Sequence, residues 1–125
     1  MSAKLLWIAA AGAAGTLARF GLTGLATRWA GGSFPYGTFV VNIMGCFLFG
    51  MVWMLADQRA LISGEARFII LTGFMGAFTT FSTFAFETGQ FLRDAQWLAA
   101  GGNLFAQNVV GITALLLGLA VGRWF

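Results

Sequence analysis

Apolar side chains fall in four long blocks, and most of the charged and turn-forming residues lie between them. The blocks are Leu5–Thr27, Tyr36–Ala56, Ala66–Leu92 and Trp97–Gly122. A helix needs about 20 apolar residues to cross a bilayer, and each block meets that length. The connections are short. Arg28–Pro35 holds two Gly, a Ser and the only Pro, Asp57–Glu65 carries Asp, Arg, Gly and Glu, and Arg93–Gln96 is four residues long. The pattern predicts an all-α membrane protein, one transmembrane domain over residues 1–125 with four spans. Indole prefers the headgroup level, and Trp7, Trp29, Trp53, Trp97 and Trp124 all fall near predicted span ends. Small residues recur at helix-packing spacing in Gly118-x-x-x-Gly122, Cys46-x-x-x-Gly50 and Gly73-x-x-x-Ala77.

Composition agrees with this pattern and removes several classes of function. The chain is 59% hydrophobic and 9% charged, against about 25% charged in an average soluble domain. A soluble domain of this length must cover its core with polar side chains, so here the lipid bilayer supplies the apolar environment. The net charge is +3, and the basic residues Lys4, Arg19, Arg28, Arg59, Arg67, Arg93 and Arg123 are scattered. No patch or stripe is present to grip phosphates, which speaks against nucleic acid as a partner. A single Cys46 and the absence of His exclude a disulfide within the chain and imidazole chemistry. Lys4 followed by Leu5 to Ala14 imitates a signal peptide, but the apolar stretch continues to Thr27, so we expect a retained span. With four spans, Lys4, Arg59, Arg67 and Arg123 share one side against Arg28 and Arg93 on the other. That bias is weak under the positive-inside rule and permits insertion in both orientations.

Polar residues at membrane depth are the candidate chemistry. Arg19 precedes Arg28 by nine residues and Asn42 follows Pro35 by seven, which puts both roughly 10–14 Å below the same face at about 1.5 Å per residue. Two readings stand. The pair lines one aqueous vestibule, or Arg19 snorkels to the surface while Asn42 bonds a neighbouring helix. The third block reads Gly73-Phe-Met-Gly76-Ala-Phe78-Thr79-Thr80-Phe81-Ser82-Thr83-Phe84-Ala-Phe86-Glu87. Thr and Gly weaken a helix there, and a break at that depth survives only where protein or a water-filled cavity satisfies the backbone. Alternatively the helix is continuous and its hydroxyls bond back to preceding carbonyls. Phe78, Phe81 and Phe84 at spacing three mark one helix face, either for packing or as ring edges turned to an anion. Glu87 either serves a pore or caps an interface.

The segments Gly12-Ala-Ala-Gly15-Thr-Leu-Ala-Arg19-Phe20, Gly37-Thr38-Phe-Val-Val-Asn42-Ile-Met-Gly45 and Gly73 through Phe84, with Glu87, resemble the Fluc (CrcB) family of fluoride channels. The resemblance covers the first three spans in order, while the fourth matches by length, Gly content and position. It implies an antiparallel homodimer of dual-topology subunits in the bacterial cytoplasmic membrane, with the third helix broken and two fluoride pores shared between subunits. Arg19 and Asn42 would belong to the vestibules, Phe81 and Phe84 would face fluoride, and Ser82, Thr83 and Thr38 would flank the path. Gly76 and Thr79 would offer backbone carbonyls to a structural sodium ion at the dimer centre. Family members often carry a Ser after the fourth-span Gly, whereas Gly111 is followed here by Ile112, so Asn108 or Thr113 is expected to substitute.

Two other classes compete. A proton-coupled exporter of the small multidrug resistance type has a carboxylate in its first span, where this chain carries Arg19 and no acid. A membrane assembly subunit would use its polar residues only to join helices. An enzyme is not expected, because no nucleophile–base pair or metal cluster emerges.

Overall fold

The computed structural model describes residues 2–125. Four helical spans, Ala3–Ala30, Tyr36–Asp57, Gly64–Arg93 and Trp97–Gly122, are long and apolar enough to cross a membrane, and the chain is a multi-pass membrane protein. The first helix, α1 (Ser2–Ala30), runs one turn past the last residue expected from hydropathy, through Arg28 in its last turn. It stops at Gly31 and Gly32, whose φ angles of 60° and 78° suit glycine and turn the chain toward Pro35. The second helix, α2, spans Tyr36–Asp57.

The third span is two helices. The first, α3, starts at Gly64, where the Ser63 side chain accepts from Ala66 N at 3.2 Å. It widens into π turns over Ile69–Met75 and ends with Gly76–Phe78. Thr79 (φ −86°, ψ 160°) and Thr80 (φ −150°, ψ 111°) are extended, and α4 begins after them as Phe81–Arg93. The reading of a broken helix therefore stands over the continuous one. The break also divides the expected Phe stripe. Phe78 belongs to α3 and is buried, stacked on Phe74 with centroids 5.6 Å apart, whereas Phe81 and Phe84 form their own edge-on pair on α4 at 5.5 Å. The reading of one face through all three rings is corrected, because two extended residues change the rotation between Phe78 and Phe81.

The fourth span, α5 (Trp97–Gly122), keeps the expected bounds and contains a wide π segment at Ala106–Val110. Its C-terminal half lies along α2 more extensively than any other pair of elements meets. Glycine permits this. A Cβ at Gly118 would collide with the Phe47 carbonyl, and one at Gly50 with the Leu115 carbonyl. Two of the small-residue spacings read from the sequence, Cys46-x-x-x-Gly50 and Gly118-x-x-x-Gly122, thus belong to the α2–α5 seam, whereas Gly73-x-x-x-Ala77 packs against Ile8, Ala11 and Gly15 of α1. On the other side α1 packs on α3, and the apolar core of Val41, Leu71, Met75 and Phe78 sits between α2 and α3.

At the membrane end shared by the termini, loop charges are locally engaged. Arg67 lies 3.8 Å from Asp57 and stacks over Trp53 at 4.6 Å, Lys4 stands over Phe68 at 4.4 Å, and Arg59 donates to the Arg123 carbonyl.

Candidate functional site

An interrupted helix exposes backbone groups that a bilayer cannot satisfy, so something in the protein must. Here Asn42 on α2 does so. Its Oδ1 accepts from Thr80 N at 2.8 Å and its Nδ2 donates to Thr80 O at 3.1 Å. The amide pairs with the Thr80 peptide as a neighbouring strand would. Its second N–H goes to Gln107 Oε1 on α5 at 3.0 Å, so both hydrogens are spent. Gly45, one turn along α2, leaves room for the Thr79 methyl, which a Cβ there would strike. Thr80 in turn caps α4, its Oγ1 accepting from Thr83 N at 3.2 Å and donating to Thr83 Oγ1 at 3.0 Å.

The break leaves carbonyls without their helical donors. In an unbroken helix Thr80 N would donate to Gly76 O, but it is bound to Asn42. Thr79 O belongs to an extended residue at the end of α3. Gly76 O has thus lost its helical donor, and if a group-one cation binds at the break, Gly76 and Thr79 are the residues whose backbone carbonyls would hold it. Among the described residues no cluster of three His, Cys, Asp or Glu is available to hold a metal by side chains.

Further along α4 the polar contacts continue toward both neighbours. Thr38 Oγ1 donates to Glu87 Oε1 at 2.6 Å, joining α2 to α4. Thr88 Oγ1 accepts from Asn103 Nδ2 at 2.9 Å, joining α4 to α5. Thr38, Thr80, Thr88 and Asn103 are the buried polar residues among those described, and all four belong to this network. Three of its buried atoms lack a partner among the described residues: Glu87 Oε2, Asn103 Oδ1 and Gln107 Nε2. Burying a polar group without a partner is unfavourable, so these atoms are ready to take one.

Two concavities flank α4. A groove of about 940 Å³ is lined by Arg19, Arg28, Thr38, Thr80, Ser82 and Thr83, among others. A smaller cavity of about 360 Å³ is lined by Asn42, Cys46, Phe81, Phe84, Gln107 and Asn108, among others. Arg19 and Asn42, at matched depth in the sequence, therefore stand in different spaces, and Thr80 lines both. Ser82 and Thr83 face the groove with Arg19, while the two rings face the cavity. Phe81 is 77% exposed and Phe84 only 6%.

On α5, Asn108 and Thr113 are exposed and bond back to their own helix, to Leu104 O and Val109 O at 2.8 Å each. Asn108 still lines the smaller cavity, and the residues of α5 that bond across to other helices are Asn103 and Gln107, one turn apart. Sequence reasoning missed them, although an Asn and a Gln at spacing four inside an apolar span are a readable signal.

Residues 6–119 match the family model described as CrcB-like protein, Camphor Resistance (CrcB). A fluoride-specific ion channel of Nitrosococcus oceani is 61% identical over 120 residues, 96% of each chain. A second, from Solidesulfovibrio magneticus, is 58% identical over 123 residues, 98% of each chain. A third, from Chloroflexus aurantiacus, is 38% identical over 122 residues, 98% of this chain and 97% of the relative. With four membrane-length helices, a break held by Asn42 and a family model matched across all four spans, this chain belongs to the CrcB-like family.

Proposed function

We propose that this protein is a fluoride-selective channel that lets fluoride leave the cell passively across the bacterial cytoplasmic membrane. The observation that carries the reading is the broken third span, where a ring pair, hydroxyls and an unspent amide N–H gather around the break, in a chain whose close relatives are named fluoride-specific ion channels. Fluoride is small and strongly hydrated, and burying it bare costs far more than transport tolerates. The path must return donors of comparable strength. Gln107 Nε2 supplies one, the Ser82 and Thr83 hydroxyls supply others, and the edges of Phe81 and Phe84 add partial positive charge. Asn42 lines the cavity and holds the break open. Thr38 and Glu87 continue the polar line toward the end of α4. Arg19, in the wide groove, concentrates anions without trapping them at the constriction.

The working unit in this reading is an antiparallel homodimer with two pores. Single-chain geometry leaves Phe81, Ser82 and Thr83 exposed at bilayer depth, where lipid is a poor partner for hydroxyls. A second copy crossing at the break covers them. Gly76 and Thr79 of both copies would then hold a structural sodium ion through backbone carbonyls. Bound there, the ion supplies fixed positive charge and joins the broken helices.

The test is efflux from liposomes holding the purified protein alone. Fluoride should leave without a proton gradient while chloride stays trapped. Equal loss of chloride refutes the selective channel, and dependence on a proton gradient would favour an exporter.

A further inference from the structure

Because α4 is cut from α3 at Thr79–Thr80, its rotation about its own axis is not inherited from the preceding helix. Side-chain anchors must set it. The N-terminal anchor is the Asn42–Thr80 pairing described above. The second lies two turns on, at Thr88, whose Oγ1 donates to Phe84 O at 2.9 Å and accepts from Asn103 Nδ2 at 2.9 Å. A hydroxyl has one hydrogen, and here it is spent on Phe84. Thr88 therefore offers α5 only a lone pair, which orients the Asn103 amide with nitrogen toward α4 and leaves Asn103 Oδ1 without a partner among the described residues.

Asn103 is completely buried and Thr88 is 6% exposed. Packing alone does not call for this pair. Leu and Val would fill the same volume with no amide oxygen left unpaired, and exchanging both partners of a buried hydrogen bond for apolar groups is close to neutral for stability. The polar pair adds direction. It ties α5 to the residue one turn beyond Phe84, the buried ring of the pair. Side chains reach about 6 Å from a helix axis, so a rotation of about 10° displaces a ring by about 1 Å. Displacements of that size cost about 100-fold where a reacting geometry is tight.

We propose that Asn103 and Thr88 are positioning residues that set the rotation of α4 and so the place of the Phe84 ring in the ion path. The inference rests on the channel reading. Its test separates flux per channel from the number of working channels. The full chain is reconstituted at low density, so that a vesicle carries one channel or none. The fraction of vesicles that empty counts working channels, and the rate of emptying gives flux per channel. The double variant Thr88→Val/Asn103→Leu should empty the same fraction as the parent at a rate lower by about 10-fold, whereas Thr88→Ser, which keeps the hydroxyl, should stay within about twofold. A double variant that conducts at the parental rate overturns the inference, whether its emptied fraction is parental or reduced. So does a double variant that does not assemble, because the pair is then needed for the fold itself. A parent that passes no fluoride overturns the channel reading and this inference together.

Discussion

Phe81 and Phe84 sit three residues apart, yet one ring is open and the other enclosed, and this decides how each responds to change. Replacing either by Ile keeps apolar bulk and removes the ring edge. Fluoride flux should fall by about 10-fold or more in Phe81→Ile and Phe84→Ile, with assembly on size exclusion unchanged. If both conduct like the parent, the rings are packing and nothing else. Phe78→Ile is the contrast. That ring stacks on Phe74 in the core away from the cavity, so its loss should lower stability by about 1–2 kcal/mol with a milder effect on flux. Spacing alone grouped the three rings, because a count of residues presumes a continuous helix. Asn42 carries a similar lesson. Its depth was legible from Pro35, but its bonds to Thr80 and Gln107 cross 38 and 65 residues of chain.

Between elements, glycine sets how closely the helices approach. Gly45→Ala would drive a methyl into Thr79, and Gly118→Ala would drive one into the Phe47 carbonyl. Each should destabilise by about 1–3 kcal/mol, read as a lower melting temperature in detergent, and Gly45→Ala should also reduce flux because its clash falls on the break. Gly101 on α5 has nothing within 4 Å of a built Cβ. Gly101→Ala should leave the melting temperature equal or higher, since Ala is about 1 kcal/mol better than Gly in a helix. A fall in the Gly101 variant matching the other two would refute the close-approach account, because Gly101 has no neighbour for the added methyl to strike. The spacing Gly118-x-x-x-Gly122 announced that a helix packs there. Which helix it meets is decided by α2 lying alongside, because a small-residue stripe is one half of a contact and carries no address.

For the whole molecule, the proposed antiparallel pairing turns on which way each chain inserts. Four spans bring Lys4, Arg59, Arg67 and Arg123 to one end against Arg28 and Arg93 at the other. At the first end Arg67 pairs with Asp57 and Arg59 with the Arg123 carbonyl, so part of that excess is locally engaged. We expect insertion in both orientations. Cysteines placed singly at the two termini, in a Cys46→Ala background, should be labelled by an impermeant thiol reagent from both sides of the cell membrane. Labelling from the cytoplasmic side alone in an active channel would refute dual topology and require a parallel pairing.

By itself the sequence determined the four spans, their ends to within about one turn and the membrane as solvent, since hydropathy, turn residues and Trp position are local properties of 20-residue windows. It also displayed the Thr-Thr-Phe-Ser-Thr-Phe run on which the family resemblance rests, and it made a break in the third helix one of two open readings. Only the tertiary structure decided that the break falls at Thr79–Thr80, that Asn42 holds it, and that Asn103 and Gln107 bond to neighbouring helices while Asn108 and Thr113 bond back to their own. The physical reason is the bilayer. A soluble helix declares its inner face by contrast between apolar and polar sides, but a membrane helix is apolar on every side and loses that contrast. Its inner face is then marked by which few polar groups find partners, and those partners lie on other helices.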